Sequence, residues 1–270
     1  SEMCIRDSYR RTFFMSETGN GRKNWTRVVA AVGLVFLAVA IALLIGLLFG
    51  IVQGFLVSYL EIQPFIVTLA TQLIVYGILL MYIMLNGNNG QPLSGLDKSF
   101  KNFVTGSFLK IRGVPIPNYV WYACVVVVFM WFMWNKTTFG KNLYAVGGNP
   151  EAAAVSGISV FKVTMGAFIL AGILYGFGSW LECNRMVGSG SAAYGQGWDM
   201  DAIAACVVGG VSFTGGIGKI SGVVTGVLIF TSLTYALTIL GIDTNLQFIF
   251  EGIIILAAVT LDCLKYVQKK

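Results

Sequence analysis

Long apolar runs dominate this sequence and restrict what it can fold into. Of its 270 residues, 56% are hydrophobic and only 11% are charged, which is too apolar for a soluble domain of this size. A helix needs roughly 20 residues to cross the hydrocarbon of a bilayer. Runs near or above that length occupy residues 28–59, 64–85, 119–134, 161–181, 220–240 and 246–261. The sequence therefore predicts an all-α, polytopic integral membrane protein with about six spanning helices in the lipid bilayer.

Residues 199–213 predict an additional, shorter membrane element. The apolar part of this segment is only about half a bilayer long, and glycine pairs at 209–210 and 215–216 interrupt it. Asp199 and Asp201 are residue types that cap the start of a helix. Because irregular backbone cannot face lipid, we expect a broken or re-entrant helix buried in protein. The alternative is one continuous, irregular helix.

Glycines recur every four residues in two of the apolar runs. This spacing places them on one helix face and lets a neighbouring helix approach closely. The predicted helix-packing glycines are Gly46, Gly50 and Gly54 in the first run and Gly218, Gly222 and Gly226 near the fifth.

The polar connection at residues 135–160 has the pattern of a short helix with defined ends. Asn149 can cap the helix, Pro150 suits its first turn, and Glu151 faces the positive end of its dipole. The alanines that follow favour helix, and Gly157 can end it. We expect a surface helix over residues 150–156, which is either part of an ordinary structured loop or a contact offered to a soluble partner.

The composition excludes several kinds of chemistry. The sequence contains no histidine, and its five cysteines have no CxxC spacing, so no metal site, cofactor site or Cys-His catalytic pair is expected. It also lacks the GxxxxGK[ST] loop with which many ATPases hold nucleotide phosphates. The net charge of +6 is spread over termini and loops, which is typical of membrane-flanking charge and not of a nucleic-acid surface.

Four stretches of the sequence resemble one family, and they occur along the chain in the order found in that family. They are FGKNLYAVGGNPEAAAVSGI at 139–158, PFIVTL at 64–69, DAIAACVVGGVSFTGGIG at 201–218 and LDCLKY at 261–266. Together they are similar to the permease subunits of bacterial ABC sugar importers, in the ribose/galactose group, from about residue 28 to the C-terminus. The resemblance implies a permease subunit, not itself an enzyme, that carries a monosaccharide across the bacterial inner membrane. Within the group it points to galactose or methyl-galactoside.

The resemblance also implies partners and functional residues. The partners are a separate ATPase subunit that supplies ATP hydrolysis, a periplasmic sugar-binding protein, and a second permease copy in a homodimer. The residues assigned to the ATPase contact are Gly148, Asn149, Pro150, Glu151, Ala152, Ala153 and Gly157.

A sugar path would be lined by hydroxyl, amide and aromatic side chains. The candidates are Phe65, Thr68, Gln72, Trp198 and Ser212. For Thr68 and Gln72, together with Thr71, the preferred interpretation is a hydrogen bond to a neighbouring helix.

The N-terminal end departs from the family. Residues 1–27 are polar, and their opening SEMCIRDS does not resemble the family, as expected of foreign or disordered sequence. The family's additional N-terminal membrane segments and its Gly-Asp-Leu-Ser type motif are not found. The expectation is therefore an N-terminally truncated permease whose permease domain spans residues 28–270.

Charge alone does not fix the orientation in the membrane. When the basic C-terminal tail is placed in the cytoplasm, counting spans back puts residues 135–160 there too. The same count puts the basic N-terminus outside, against its charge. Two other functions remain open: an ATP-independent channel or secondary carrier for a neutral solute, and an inactive permease fragment. The scarcity of ionisable residues within the spans, where Glu251 is the main candidate, argues against proton coupling.

Overall fold

The computed structural model describes residues 33–85, 104–111, 114–186, 194–212 and 215–267. The predicted polar segment 1–27, residues 86–103 and residues 112–113 lie outside the described residues. The helices are α1 Gly33–Tyr59, α2 Pro64–Leu85, α3 Asn118–Lys136, α4 Thr138–Gly148, α5 Pro150–Val155, α6 Val160–Arg185, α7 Trp198–Val208, α8 Ile220–Ile239 and α9 Thr244–Val267. The strands are β1 Ser107–Ile111 and β2 Val114–Pro117.

The spanning helices agree with the apolar runs of the sequence. Five helices, α1, α2, α3, α6 and α8, are long and apolar enough to cross a membrane. The last helix, α9, has 24 residues and an apolar part at Leu246–Ala257. Large apolar side chains on these helices point outward, as Leu73 and Leu228 do. Such an extended apolar surface is stable only against lipid or another protein, so the prediction of about six spanning helices is confirmed.

A small β-hairpin is added to this helical architecture. The strands β1 and β2 pair antiparallel, with Ser107 opposite Pro117 and Ile111 opposite Val114. The helix α3 begins directly after β2, at Asn118. The Asn118 N–H donates to the Gly106 carbonyl at 2.9 Å and so ties the start of α3 to the start of the hairpin. The long connection between α2 and α3 therefore carries structure of its own.

Glycine brings the backbones of α1 and α6 into direct contact. A Cβ placed on Gly46 would overlap the carbonyl oxygen of Gly172, and one on Gly50 would lie 2.6 Å from that of Phe168. Gly54, one turn further on, faces Met165. The first glycine ladder of the sequence thus lies along the surface of α6, where side chains would hold the helices apart.

The same kind of contact joins α7 to α8. A Cβ on Gly222 would overlap the backbone of Gly209, and one on Gly226 would overlap that of Ala205. Ala204, Ala205 and Phe230 form a buried cluster against which α9 packs with Ile254 and Ile255. The helices α7, α8 and α9 therefore form one packed unit.

The broken helix is present, with different ends from those predicted. It has 11 residues, which corresponds to about 16 Å. It begins after Gly197, whose φ of 87° is left-handed, so Asp199 and Asp201 lie in its first turn and do not cap it. It ends at Val208 because Gly210 turns the chain with φ 82°, and the Val211 N–H donates back to the Cys206 carbonyl at 3.0 Å.

The close approach of α1 and α6 can be tested at Gly172. In Gly172→Ala the new methyl group meets the backbone of Gly46, so we expect a loss of about 1–3 kcal/mol in the free energy of unfolding. The matched control is Gly178→Ala on the same helix, where an added Cβ meets nothing within 4 Å. Thermal unfolding in detergent measures both, and equal midpoints for the two variants would contradict the contact.

Candidate functional site

The connection between α3 and α6 is almost entirely helical. Its two helices, α4 and α5, leave only short junctions at Thr137, Asn149 and residues 156–159. The sequence predicted a polar loop with one short helix between Gly147–Gly148 and Gly157. In the structure, Gly147 and Gly148 instead form the last turn of α4, and α5 follows one residue later.

Asn149 joins the two helices through both its backbone and its side chain. Its N–H donates to the Ala145 carbonyl of α4 at 3.1 Å, and its Oδ1 accepts from the Ala152 N–H of α5 at 3.0 Å. Pro150 occupies the first turn of α5, and Glu151 lies beside it. A single asparagine therefore ends one helix and begins the next.

The other end of α5 is equally well defined. Gly157 has a left-handed φ of 81°, and its N–H donates to the Ala154 carbonyl at 3.0 Å. The Ile158 N–H donates to the Ala153 carbonyl at 3.0 Å, which completes a Schellman motif. Ser159 then accepts from the Lys162 N–H and starts α6. These bonds hold α5 as a fixed unit at the surface.

One face of α5 is packed and the rest is exposed. Ala153 is only 4% exposed, whereas Glu151, Ala152 and Ala154 are exposed. Val155, an apolar side chain outside the spanning helices, is 91% exposed. The exposed face of α5, formed by Glu151, Ala152, Ala154 and Val155, is mostly apolar and suits contact with another protein.

The helix α4, which leads into α5, contacts the break between α7 and α8. The Tyr144 hydroxyl donates to the Gly218 carbonyl at 2.6 Å. One turn later, a Cβ on Gly147 would lie 2.9 Å from the Gly216 nitrogen, so these two backbones are in contact. No local pattern in the sequence pairs these positions. The pairs Gly147–Gly148 and Gly215–Gly216 indicated only that the backbone at each place can approach a neighbour closely.

An open cavity lies beside this contact. Its volume is about 340 Å³, and it is lined by Gly209, Gly210, Ile217, Gly218, Lys219, Ser221, Gly222 and Thr225. Of the predicted packing glycines, Gly218 therefore lies at this cavity, with its nearest side-chain neighbour Val211 at 3.3 Å from a built Cβ. Gly222 lines the cavity and also contacts Gly209.

The predicted sugar-path residues on α2 either bond to their own helix or are exposed. The Thr68 hydroxyl donates to the carbonyls of Pro64 and Phe65 at 3.1 and 3.0 Å, and that of Thr71 to Val67 at 2.7 Å. These hydroxyls bond their own helix and not a neighbouring one, because the carbonyl one turn back lies within reach. Phe65 and Gln72 are exposed.

The other two candidates lie at opposite ends of α7. Trp198 begins the helix and is 48% exposed, whereas Ser212 follows its end and is buried. The helices packed most closely against α7 are α8 and α9, not α2. The five candidates therefore do not form a single cluster, and their role in a sugar path stays a prediction.

Trp198 belongs to a cluster at the end of α6. Glu182 and Arg185 form an ion pair at 2.5 Å, and the Tyr194 hydroxyl donates to the Glu182 carboxylate. Tyr194 in turn meets the ring of Trp198 edge-on, with centroids 5.0 Å apart. Partial burial, and then the bond to Glu182, raise the pKa of Tyr194. Glu182 and Arg185 lie in the last turn of α6.

The described residues contain no cluster of side chains suited to bind a metal ion. Within those ranges, no group of three or more Cys, Asp or Glu side chains could hold an ion. Cys124, Cys183 and Cys206 are free thiols.

This chain resembles known proteins that are permease components of transport systems. The family described as branched-chain amino acid transport system / permease component matches residues 15–259. The galactose/methyl galactoside import permease protein of Treponema pallidum is 50% identical over 264 residues, which are 96% of this chain and 47% of that protein. The corresponding protein of Escherichia coli is 48% identical over 80% of this chain and 63% of its own length.

More distant sugar permeases also match. The ribose import permease protein of Bacillus subtilis is 38% identical over 77% of this chain and 62% of its own length. The chain thus spans between about half and just under two thirds of the relatives it matches. No solved structure gives a significant match.

The capping role of Asn149 can be tested without a partner. Asn149→Ala removes the acceptor for the Ala152 N–H, so we expect α5 to lose about 1 kcal/mol of local stability. Hydrogen exchange at the α5 amides should then accelerate roughly fivefold. Asn149→Asp keeps an acceptor oxygen and serves as the control, and unchanged exchange in Asn149→Ala would show that the side chain does not cap α5.

Proposed function

Since the chain belongs to the family of branched-chain amino acid transport system permease components, we propose that it is the membrane subunit of an ATP-driven sugar importer. Its membrane-length helices and its family make it a multi-pass protein of the bacterial inner membrane. The observation that carries the proposal is the match along residues 15–259, combined with relatives that are named as sugar import permeases.

The proposed source of energy is a separate ATPase subunit that binds α5. Permease components do not hydrolyse ATP themselves, and this sequence has no phosphate-binding GxxxxGK[ST] loop. A helix with fixed ends and an exposed apolar face, such as α5, suits a cleft in a soluble partner. In this proposal α5 lies on the cytoplasmic side, and closure of the ATPase on ATP moves it as a rigid element.

A channel or secondary carrier is the competing function, and it explains less. Neither needs a rigid helix with Val155 exposed to solvent outside the spanning segments. Glu251 is buried in α9, but the spans carry few other ionisable side chains with which to couple an ion gradient. These features favour external energy and a neutral solute.

The proposed solute is a monosaccharide, with galactose or methyl-galactoside as the first candidate. The relatives named for these sugars are 44–50% identical, whereas those named for ribose and arabinose are 36–39% identical. A periplasmic sugar-binding protein that delivers the sugar and a second permease copy complete the proposed importer.

The ATPase contact is tested by replacing Asn149, Pro150 and Glu151 together with glycine. This change removes the cap, the preset first turn and the acidic residue at the start of α5, so the helix loses its defined end. We expect co-purification of the intact permease with its ATPase in detergent to be lost. Full binding by a folded triple variant would contradict the assignment of α5.

A gentler variant tests the exposed face without unfolding α5. Val155→Ala removes two methyl groups that the ATPase would bury, so we expect the dissociation constant to rise roughly fivefold, or about 1 kcal/mol. The matched control is Val125→Ala, because Val125 is also exposed but lies on the spanning helix α3. Equal effects of the two variants on ATPase binding would argue against this face.

The sugar is tested by competition in uptake assays. Cells or vesicles that contain the intact importer should take up labelled galactose, and unlabelled galactose or methyl-galactoside should compete better than ribose or xylose. Preferential competition by ribose would overturn the galactose assignment but would leave the ATPase contact standing.

A further inference from the structure

We propose that Tyr144 and Gly147 of α4 form a mechanical joint through which α5 moves the α7–α8 pair. Tyr144 is then a positioning residue for transport, because it acts through the backbone of Gly218 and does not itself touch the ATPase or the sugar. The inference rests on the proposed function of α5 and identifies the membrane element that receives its movement.

The first support is a hydrogen bond between distant parts of the chain. The Tyr144 hydroxyl donates to the Gly218 carbonyl at 2.6 Å, and the two residues are 74 positions apart in sequence. Tyr144 lies within α4 and is partly buried. The acceptor is a main-chain carbonyl just before α8 begins, so a displacement of Tyr144 pulls on the backbone and not on a flexible side chain.

The second support is a backbone contact on the same face of α4. Gly147 lies three residues after Tyr144, which places both on one side of the helix. A Cβ on Gly147 would lie 2.9 Å from the Gly216 nitrogen, and a Cβ on Gly216 would lie 2.6 Å from the Gly148 Cα. Both partners are glycines, so no Cβ separates the two backbones. A displacement of the last turn of α4 would therefore displace residues 215–218 as well.

Residues 215–218 are connected to both α7 and α8. The Ser212 N–H, which follows α7, donates to the Ile217 carbonyl, which precedes α8, at 2.9 Å. Beyond the loop, Gly222 and Gly226 lie directly against the backbone of α7. Since α7 and α8 are in backbone contact, a displaced loop carries both helices with it.

The start of α4 supplies the pivot. Gly140 is buried against the backbone of Met133 and Trp134 at the end of α3, and the ring of Phe139 packs against Gly166 of α6. This end is fixed to two spanning helices, whereas the other end, about 16 Å away, joins α5 at Asn149. Movement of α5 therefore swings the end of α4 that touches the α7–α8 loop.

The test measures sugar transported per ATP hydrolysed, with the intact permease and its ATPase in proteoliposomes. Tyr144→Phe keeps the ring and removes only the hydroxyl that bonds Gly218. We expect the ratio of transport to ATP hydrolysis to fall about fivefold, the effect of one hydrogen bond, while ATPase binding is retained. Tyr175→Phe, at an exposed tyrosine of α6, is the matched control and should keep the ratio of the parent protein.

A second pair of variants tests the backbone contact. Gly147→Ala drives a methyl group into the Gly216 amide and should lower the same ratio, whereas Gly178→Ala meets nothing within 4 Å and should not. A purely structural role would lower ATPase binding and thermal stability, and would leave the ratio unchanged.

The outcomes separate this inference from the function on which it rests. Ratios equal to the parent in Tyr144→Phe and Gly147→Ala, with ATPase binding lost in the glycine triple variant, would overturn the joint alone. Full ATPase binding by the triple variant would overturn the assignment of α5 as the ATPase contact, on which this inference rests. A lowered ratio in Tyr144→Phe and Gly147→Ala, with binding intact, supports the joint.

Discussion

Backbone contact through glycine is the interaction on which this structure depends. Between apolar helices in lipid the hydrophobic effect gives no preference for a partner, so close van der Waals packing decides which helices pair. Gly46 and Gly50 let α1 lie directly on α6, while Gly222 and Gly226 let α8 lie on α7. The same close approach, at Gly147 and Gly216, brings the α3–α6 connection against the break between α7 and α8. At each of these places no Cβ separates the two backbones.

Local features of the sequence were sufficient to predict the spanning helices and the two ends of α5. Asn149 and Gly157 act on neighbouring backbone groups within five residues, so their capping bonds follow from residue type and spacing. The apolar runs gave the spanning helices for the same reason, because a backbone in hydrocarbon must satisfy its own hydrogen bonds. The resemblance to sugar permeases extended this to a family, which the match over residues 15–259 then established.

What the sequence could not predict is tertiary. Gly147 and Gly148 looked like an interruption, yet α4 runs through them, because the contact with Gly215 and Gly216 compensates for their weak helix propensity. Asp199 and Asp201 looked like caps, but the left-handed Gly197 starts α7 earlier. The bond from Tyr144 to Gly218 joins residues 74 apart, and no local pattern encodes such a pair.

These contacts bear on how a chain with few charges in its spans could be driven. A carrier coupled to ions needs buried ionisable groups, and here Glu251 is the main one in the described spans. A chain that draws energy from a partner needs instead a stiff connection from its surface to its interior. The capped α5, the pivot at Gly140 and the glycine contact at the α7–α8 break supply each part of such a connection.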